Sequence, residues 1–208
     1  MMIQDLQTHS KDPQHILATD KIENPKKRIL IGLTGSVATI KIYNLIRDLK
    51  QVYEGGVDLK IVTTKAALNF FNPKEIKEEI LYDEDEWKEY KRGDPVLHID
   101  LRNWADVFLI APMDANTIAK VANGLCDNLL TCVLRAWDIK SGKKVVFCPA
   151  MNTAMWDHPI TNSQLEIIKK WGYLEIVDPI PKLLACGDMG NGAMAETIDI
   201  AKYVKSIL

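Results

Sequence analysis

Arg28-Ile29-Leu30-Ile31-Gly32-Leu33-Thr34-Gly35-Ser36-Val37-Ala38 is the stretch that decides the fold. An almost unbroken apolar run meets a Gly-Ser turn, and apolar residues then recur at helical spacing to about residue 50. A continuous apolar run reads as a strand buried on both faces, and a helix directly behind it reads as a crossover to a parallel neighbour. The same alternation continues along the chain. Val57-Asp58-Leu59-Lys60-Ile61-Val62-Thr63 is a second strand, followed by a short helix over 64–71 that Asn72-Pro73 stops. Ala105-Asp106-Val107-Phe108-Leu109-Ile110-Ala111-Pro112 is a third, followed by one long helix over 116–137, loosened near Gly124. Lys144-Val145-Val146-Phe147-Cys148-Pro149 is a fourth, followed by a helix over 162–171. Tyr173-Leu174-Glu175-Ile176-Val177 is a fifth, and a helix over 197–208 closes the chain. The pattern predicts an α/β domain with a doubly wound parallel sheet covered on both faces.

Around this frame, residues 1–25 are polar and aperiodic and are expected to form a disordered or loosely attached extension, leaving 26–208 as a single domain. Residues 74–94 are dense in charge and read as a solvated face. The formal net charge of −2 gives no electrostatic case for nucleic acid. No apolar run reaches the roughly 20 residues of a bilayer span, and no basic start with an apolar block marks a secretory signal. The four cysteines, Cys126, Cys132, Cys148 and Cys186, form no C-x-x-C pair and fit no zinc or disulfide framework. They predict three buried thiols and one in a loop, in a reducing cytoplasm, with no metal.

Ligands of open parallel sheets bind at the carboxyl ends of the strands. Those ends carry Thr34-Gly35-Ser36, Thr63-Thr64, Pro112-Met113-Asp114-Ala115-Asn116-Thr117 and Pro149-Ala150-Met151-Asn152, which are expected to cluster. The turn at Gly35-Ser36-Val37 suits a phosphate through its amides and the Ser36 hydroxyl, and equally suits an ordinary strand-to-helix turn capped by Ser36. It is neither G-x-G-x-x-G nor a P-loop, so a dinucleotide or ATP is disfavoured. Asp114 or Asn116 suits a helix N-cap, and Arg135 suits either a helix C-terminus or a cofactor phosphate. Phe70 reads as core or as a stacking contact. His98, in Asp94-Pro95-Val96-Leu97-His98-Ile99-Asp100 and placed just before a strand, is the histidine set beside a ligand edge, with a side chain suited to proton transfer. Asn152 suits either a turn or a donor to an anionic group. The stretch Leu184-Ala185-Cys186-Gly187-Asp188-Met189-Gly190-Asn191-Gly192-Ala193-Met194-Ala195-Glu196 has the composition of a mobile flap carrying an accessible thiol.

Taken together, Asp94-Pro95-Val96-Leu97-His98-Ile99-Asp100-Leu101-Arg102, Ala111-Pro112 with Ala115-Asn116-Thr117, Cys126-Asp127-Asn128-Leu129-Leu130-Thr131-Cys132, Pro149-Ala150-Met151-Asn152-Thr153-Ala154-Met155-Trp156 and Ala185-Cys186-Gly187-Asp188 carry a resemblance over about residues 28–196. The chain resembles the phosphopantothenoylcysteine decarboxylases of the homo-oligomeric flavin-containing cysteine decarboxylase family. The resemblance implies a flavodoxin-like domain assembled as a homotrimer, with FMN at subunit contacts and a small-molecule substrate. It implies decarboxylation of phosphopantothenoylcysteine to phosphopantetheine in coenzyme A biosynthesis: oxidation of the thiol-bearing carbon with FMN as acceptor, loss of carbon dioxide to an ene-thiolate, and re-reduction. It places His98 and Cys186 as base and proton donor, and Asn152 and Met194 at the substrate. Gly35, Ser36, Val37, Thr64, Phe70, Ala115, Asn116 and Thr117 are placed at the flavin. The family's Leu-Arg-Arg-Trp is here Leu101-Arg102-Asn103-Trp104, which weakens any phosphate or subunit contact of the second arginine. Weighed beside this reading are a peptidyl-cysteine decarboxylase, a flavin prenyltransferase and a regulatory protein that binds a protein phosphatase.

Overall fold

In the computed structural model, which describes residues 25–87, 93–183 and 189–208, the first strand, β1 (Lys27–Leu33), lies inside the sheet. A single-turn 3-10 helix (Val37–Lys41) leads into α1 (Ile42–Val52), then β2 (Val57–Thr63). Next come β3 (Glu79–Leu81), α2 (Asp83–Glu86), α3 (Leu97–Trp104) and β4 (Val107–Met113). Then follow α4 (Ala115–Ala122), α5 (Leu129–Arg135), β5 (Lys144–Pro149), α6 (Thr153–Trp156), α7 (Pro159–Lys169) and β6 (Leu174–Ile176). An antiparallel hairpin, β7 (Ile180–Leu183) and β8 (Met189–Ala193), precedes the closing helix α8 (Thr197–Ile207). The six-stranded sheet runs β3-β2-β1-β4-β5-β6, all parallel.

The apolar runs explain the layering. Successive side chains of a strand point to opposite faces. Ile29, Ile31 and Leu33 pack with Leu45 and Leu49 of α1 and Ile200 and Val204 of α8, while Leu30 packs on the other face with Leu130 and Val133 of α5 and Leu165 and Ile168 of α7. Phe108 and Phe147 fill that second layer completely buried, each contributing about 1.5–3 kcal/mol of transfer free energy. The doubly wound parallel sheet expected from the pattern is the sheet observed, and the fold is flavodoxin-like, as the resemblance implies.

Four expectations change. The charge-rich segment contains the edge strand β3, so the sheet has six strands rather than five; Glu79 pairs with Lys60 on the neighbouring strand, and Leu81 supplies the buried contact. The helix over 116–137 is two helices, because Asn128 starts a new one by accepting from the Thr131 amide at 2.9 Å. His98 sits in the first turn of α3 rather than just before a strand. The glycine-rich flap is built on a hairpin: β8 docks on the segment after β5, where the Met151 amide donates to the Gly192 carbonyl at 2.9 Å. Glycine is required there, since a Cβ on Gly192 (φ +131°) would lie 2.4 Å from the Met151 oxygen and one on Gly190 would lie 2.6 Å from the Thr153 side chain. Cys186 and the extension over 1–24 lie outside the described residues.

Candidate active site

The carboxyl ends of β1, β4 and β5, the loop after β2 and the end of β8 converge on one cleft of about 530 Å³, within the range of small-molecule sites. Its wall carries Gly35, Ser36, Val37, Phe70, Ala115, Asn116, Asn152 and Met194. The strand ends named from the sequence therefore meet in space.

Asp114 joins two of these ends. Its Oδ1 accepts from the Thr117 amide at 2.7 Å, capping α4, and its Oδ2 accepts from the Gly35 amide at 2.9 Å. The Thr34 hydroxyl reinforces the joint, donating to the Pro112 carbonyl at 2.9 Å and accepting from the Asp114 amide at 2.8 Å. Packing is tight there: a Cβ on Gly35 would stand 2.7 Å from the Ala66 Cβ. Most amides of the turn are engaged within the protein, and Ser36 caps it, one of the two readings the sequence left open. Gly35 donates to Asp114, Ser36 to the Thr34 carbonyl, Ala38 to the Ser36 hydroxyl oxygen and Thr39 to the Ser36 carbonyl. No described residue accepts from the Val37 amide, which with the Ser36 hydroxyl hydrogen remains for a ligand.

Asn152 is the N-cap of α6: its side-chain oxygen accepts from the Ala154 amide at 2.8 Å, which fixes how the carboxamide is turned. Met194 is buried in the cleft floor. Thr64 and Thr117 are buried and do not line the cleft. The Thr117 amide is taken by Asp114, while the Thr64 hydroxyl is buried with no partner among the described residues. Arg135 lies away from the cleft, in a small depression with Trp171 and Tyr173. Arg102 binds the Asn103 side-chain oxygen at 3.0 and 3.2 Å and the Ala136 carbonyl at 2.9 Å, so Asn103 serves as a local acceptor.

His98 does not line the cleft of its own chain. The crossover from β3 to β4 turns the first turn of α3 toward the carboxyl end of the sheet, the end that holds the cleft. The ring Nδ1 is bonded to Glu86 Oε1, and the His98 amide donates to Glu86 Oε2 at 3.1 Å. Sequence reading missed Glu86, hidden in the charge run, and Lys41, a cation on the cleft wall paired with Glu196 at 3.4 Å. The register of Lys41 one turn after Ser36 was a usable signal for the second; nothing marked the first.

The thiols also differ from expectation. Cys148 is buried and its thiol is held protonated by burial, but Cys132 is half-buried and Cys126 exposed. Burial, aided by Cys126 and the carboxylates of Glu86, Asp127 and Asp83, pushes Cys132 up to about 11. Among the described residues no cluster of side chains suits a metal, and no helix is long and apolar enough to cross a membrane.

The wall fits a flat, largely apolar ring system with a polar edge and an anionic tail. Val37, Ile40, Phe70, Ala150, Met151 and Met155 supply apolar surface, Asn116 and Asn152 polar edges, and Ser36, the Val37 amide and Lys41 the anion contacts.

Known proteins share this architecture. The family model described as Flavoprotein matches residues 17–208. A protein of Mus musculus named phosphopantothenoylcysteine decarboxylase is 51% identical over 187 residues, 89% of each chain. One of Oryza sativa subsp. japonica with the same name is 48% identical over 201 residues, covering 95% of this chain and 88% of that protein. A solved structure of a PPC decarboxylase carrying a cysteine-to-serine substitution, complexed with pantothenoylaminoethenethiol, matches with 46% identity and a TM-score of 0.80 over 87% of this chain and 97% of that one. The FMN binding protein AtHal3 matches with 46% identity and a TM-score of 0.77 over 87% of this chain and 96% of that one. Fold, cleft and relatives agree, and the chain belongs to the Flavoprotein family, among its phosphopantothenoylcysteine decarboxylases.

Proposed function

We propose that this chain decarboxylates phosphopantothenoylcysteine to phosphopantetheine in the cytoplasm, with FMN as its flavin and as a homotrimer whose clefts lie at the contacts between copies. The observation that carries the reading is the convergence of five chain segments on one apolar cleft edged by Asn116, Asn152, Ser36 and Lys41. A cysteinyl carboxylate has no electron sink of its own; bound FMN supplies one, accepting two electrons from the thiol-bearing carbon and returning them after carbon dioxide has left.

The chain's own residues do the rest. Ser36, the Val37 amide and Lys41 hold the phosphate of FMN, and Phe70, Ala115 and Asn116 receive its ring. Thr117 serves indirectly, its amide held by Asp114 at the start of α4. The Asn152 carboxamide, turned by its bond to Ala154, presents its NH2 to the substrate carboxylate, and Met194 sets the depth of the floor. His98 takes the substrate's thiol proton, so that a sulfur electron pair can form the carbon–sulfur double bond as the thiol-bearing carbon is oxidised; the electron pair left behind by carbon dioxide is then accepted through that double bond onto sulfur. Cys186 returns a proton in the last step. Trimer formation is supported by the apolar side chains around the cleft mouth, Val37, Ile40 and Met155, which are 46%, 54% and 49% exposed in one chain, and by the position of His98 outside its own chain's cleft.

The test is chemical. Purified protein should carry a flavin whose released mass is that of FMN, light scattering should give three chains, and labelled phosphopantothenoylcysteine should release carbon dioxide. His98→Asn should keep the flavin and lose carbon dioxide release. A protein without flavin, an active monomer, or an undiminished His98→Asn enzyme each defeats the corresponding part.

A further inference from the structure

We infer that Glu86 is the positioning residue for His98: it fixes the imidazole's tautomer and plane so that Nε2 is left as the basic nitrogen. The inference rests on the reading of His98 as the base. Three observations carry it. First, both carboxylate oxygens of Glu86 are engaged by the same residue, Oε1 by the ring Nδ1 and Oε2 by the His98 amide at 3.1 Å. Two anchors on one histidine hold the ring against its own backbone and remove the rotations that a lone ring contact would permit. Second, the Glu86 side chain is 5% exposed while that of His98 is 25% exposed. The carboxylate thus sits behind the ring, shielded from water, and the ring retains an accessible edge. A carboxylate oxygen accepts and cannot donate, so the neutral ring must carry its proton on Nδ1, which places the lone pair on Nε2.

Third, Glu86 is itself held. It ends α2, a single turn whose start is closed by the Tyr82 amide donating to Asp85 Oδ2 at 2.8 Å. That turn is tied to the first turn of α5 by the Leu129 amide, which donates to Asp83 Oδ1 at 3.0 Å. α5 packs in the core through Leu129, Leu130 and Val133. The carboxylate is therefore referenced to the central sheet, although its segment is short and rich in charge. An imidazole in solution favours the other tautomer modestly, so an oriented acceptor at Nδ1 decides which nitrogen is basic.

The experiment uses the flavin-loaded protein labelled with 15N-histidine. Imidazole nitrogen spectra at pH 9, above the range where histidine ordinarily protonates, are assigned by the signal missing in His98→Asn. The wild type should show His98 with its proton on Nδ1. Glu86→Gln, which can face the ring with either end of its amide, should shift His98 toward the Nε2–H form. It should also lower kcat by at least about 10-fold, the lower end of the loss known for the outer partners of metal-bound histidines, with KM within about twofold. Glu86→Asp keeps the charge one methylene short and should recover part of the tautomer and part of kcat; it carries the test alone if Glu86→Gln does not fold. Glu84→Gln, the same charge change on the exposed side of the turn, should match wild type. Flavin content and oligomer size must be unchanged for the comparison. A tautomer that does not move in the Glu86 variants overturns the inference, whatever happens to the rate. A tautomer that moves with kcat unchanged overturns it too. Full activity in His98→Asn instead defeats the reading of His98 as base, and the spectra still show separately whether Glu86 sets the tautomer.

Discussion

Removing the Asp114 carboxylate should loosen the cleft and the fold together, by an amount the contacts allow to be worked out. Asp114→Ala removes the cap on the Thr117 amide, worth about 1 kcal/mol. It also strips the acceptor from the Gly35 amide in a part-buried turn, a further loss of about 1–3 kcal/mol. The expected destabilisation is about 2–4 kcal/mol. At about 2–4 °C per kcal/mol for a domain of this size, melting should fall by roughly 4–16 °C. Asp114→Asn behaves differently, because asparagine is as good an N-cap as aspartate. It keeps the Thr117 bond and loses only the Gly35 contact, so its cost should be about 1–3 kcal/mol, about 1 kcal/mol less than that of alanine. On the proposed reading the Gly35 turn is the anion end of the cleft, so affinity for FMN should then fall with stability, about tenfold for each 1.4 kcal/mol drawn from the turn. Urea titration of flavin-free protein at fixed concentration measures the first effect, and quenching of FMN fluorescence on titration measures the second. The reasoning is refuted if Asp114→Ala lies within 0.5 kcal/mol of wild type, on the order of an ordinary surface change, or if asparagine is as damaging as alanine.

Other perturbations separate further parts of the structure. Gly192→Ala places a Cβ 2.4 Å from the Met151 oxygen at a φ of +131°, and the strain of about 1–3 kcal/mol should undock the hairpin, seen as faster limited proteolysis around 180–193. Tyr53→Phe deletes a buried hydroxyl that has no partner among the described residues and should be neutral or stabilising by up to about 1 kcal/mol in the same urea titration. Burial, with Asp106 adding to it, pushes Tyr53 up to about 12 from an ordinary 10.0. The unfolded chain therefore releases this proton first, and stability falls as pH rises from about 10 to about 12; Tyr53→Phe should flatten that limb of the melting profile. Under iodoacetamide at pH 8, exposed Cys126 should alkylate first, Cys132 slowly because its thiol is pushed up to about 11, and buried Cys148 only after denaturation, as peptide mapping would show; equal rates for Cys126 and Cys132 would contradict the shift.

The legible parts of the molecule are those with strong local patterning. Runs such as Leu30-Ile31 and Phe108-Leu109-Ile110 cannot be satisfied except inside a covered parallel sheet, and their ends then bring Gly35, Asn116 and Asn152 together by topology. What stayed hidden depends on contacts between distant segments. β3 contributes three residues, one of them charged, and is a strand only because β2 lies beside it. Glu86 looks like one more charge in a solvated run until the fold sets it against His98, twelve residues away. Gly190 and Gly192 suggested looseness, yet their missing side chains let β8 approach Thr153 and Met151 closely. The break in the helix over 116–137 was readable in principle, since Asn128 and Thr131 hold capping positions, but the apolar spacing on either side masked it.

The two outermost strands of the main sheet, Glu79–Leu81 and Leu174–Ile176, are each three residues long and carry ion-paired glutamates, Glu79 with Lys60 and Glu175 with Lys144. A border this short offers an incoming strand too few backbone groups to pair with, and charges along it discourage the attempt. These borders therefore disfavour merging the sheets of two copies into a continuous ribbon. Any contact between copies would then fall to helices and loops, where side chains rather than backbone select the neighbour, and the same blunt margins disfavour strand-to-strand stacking.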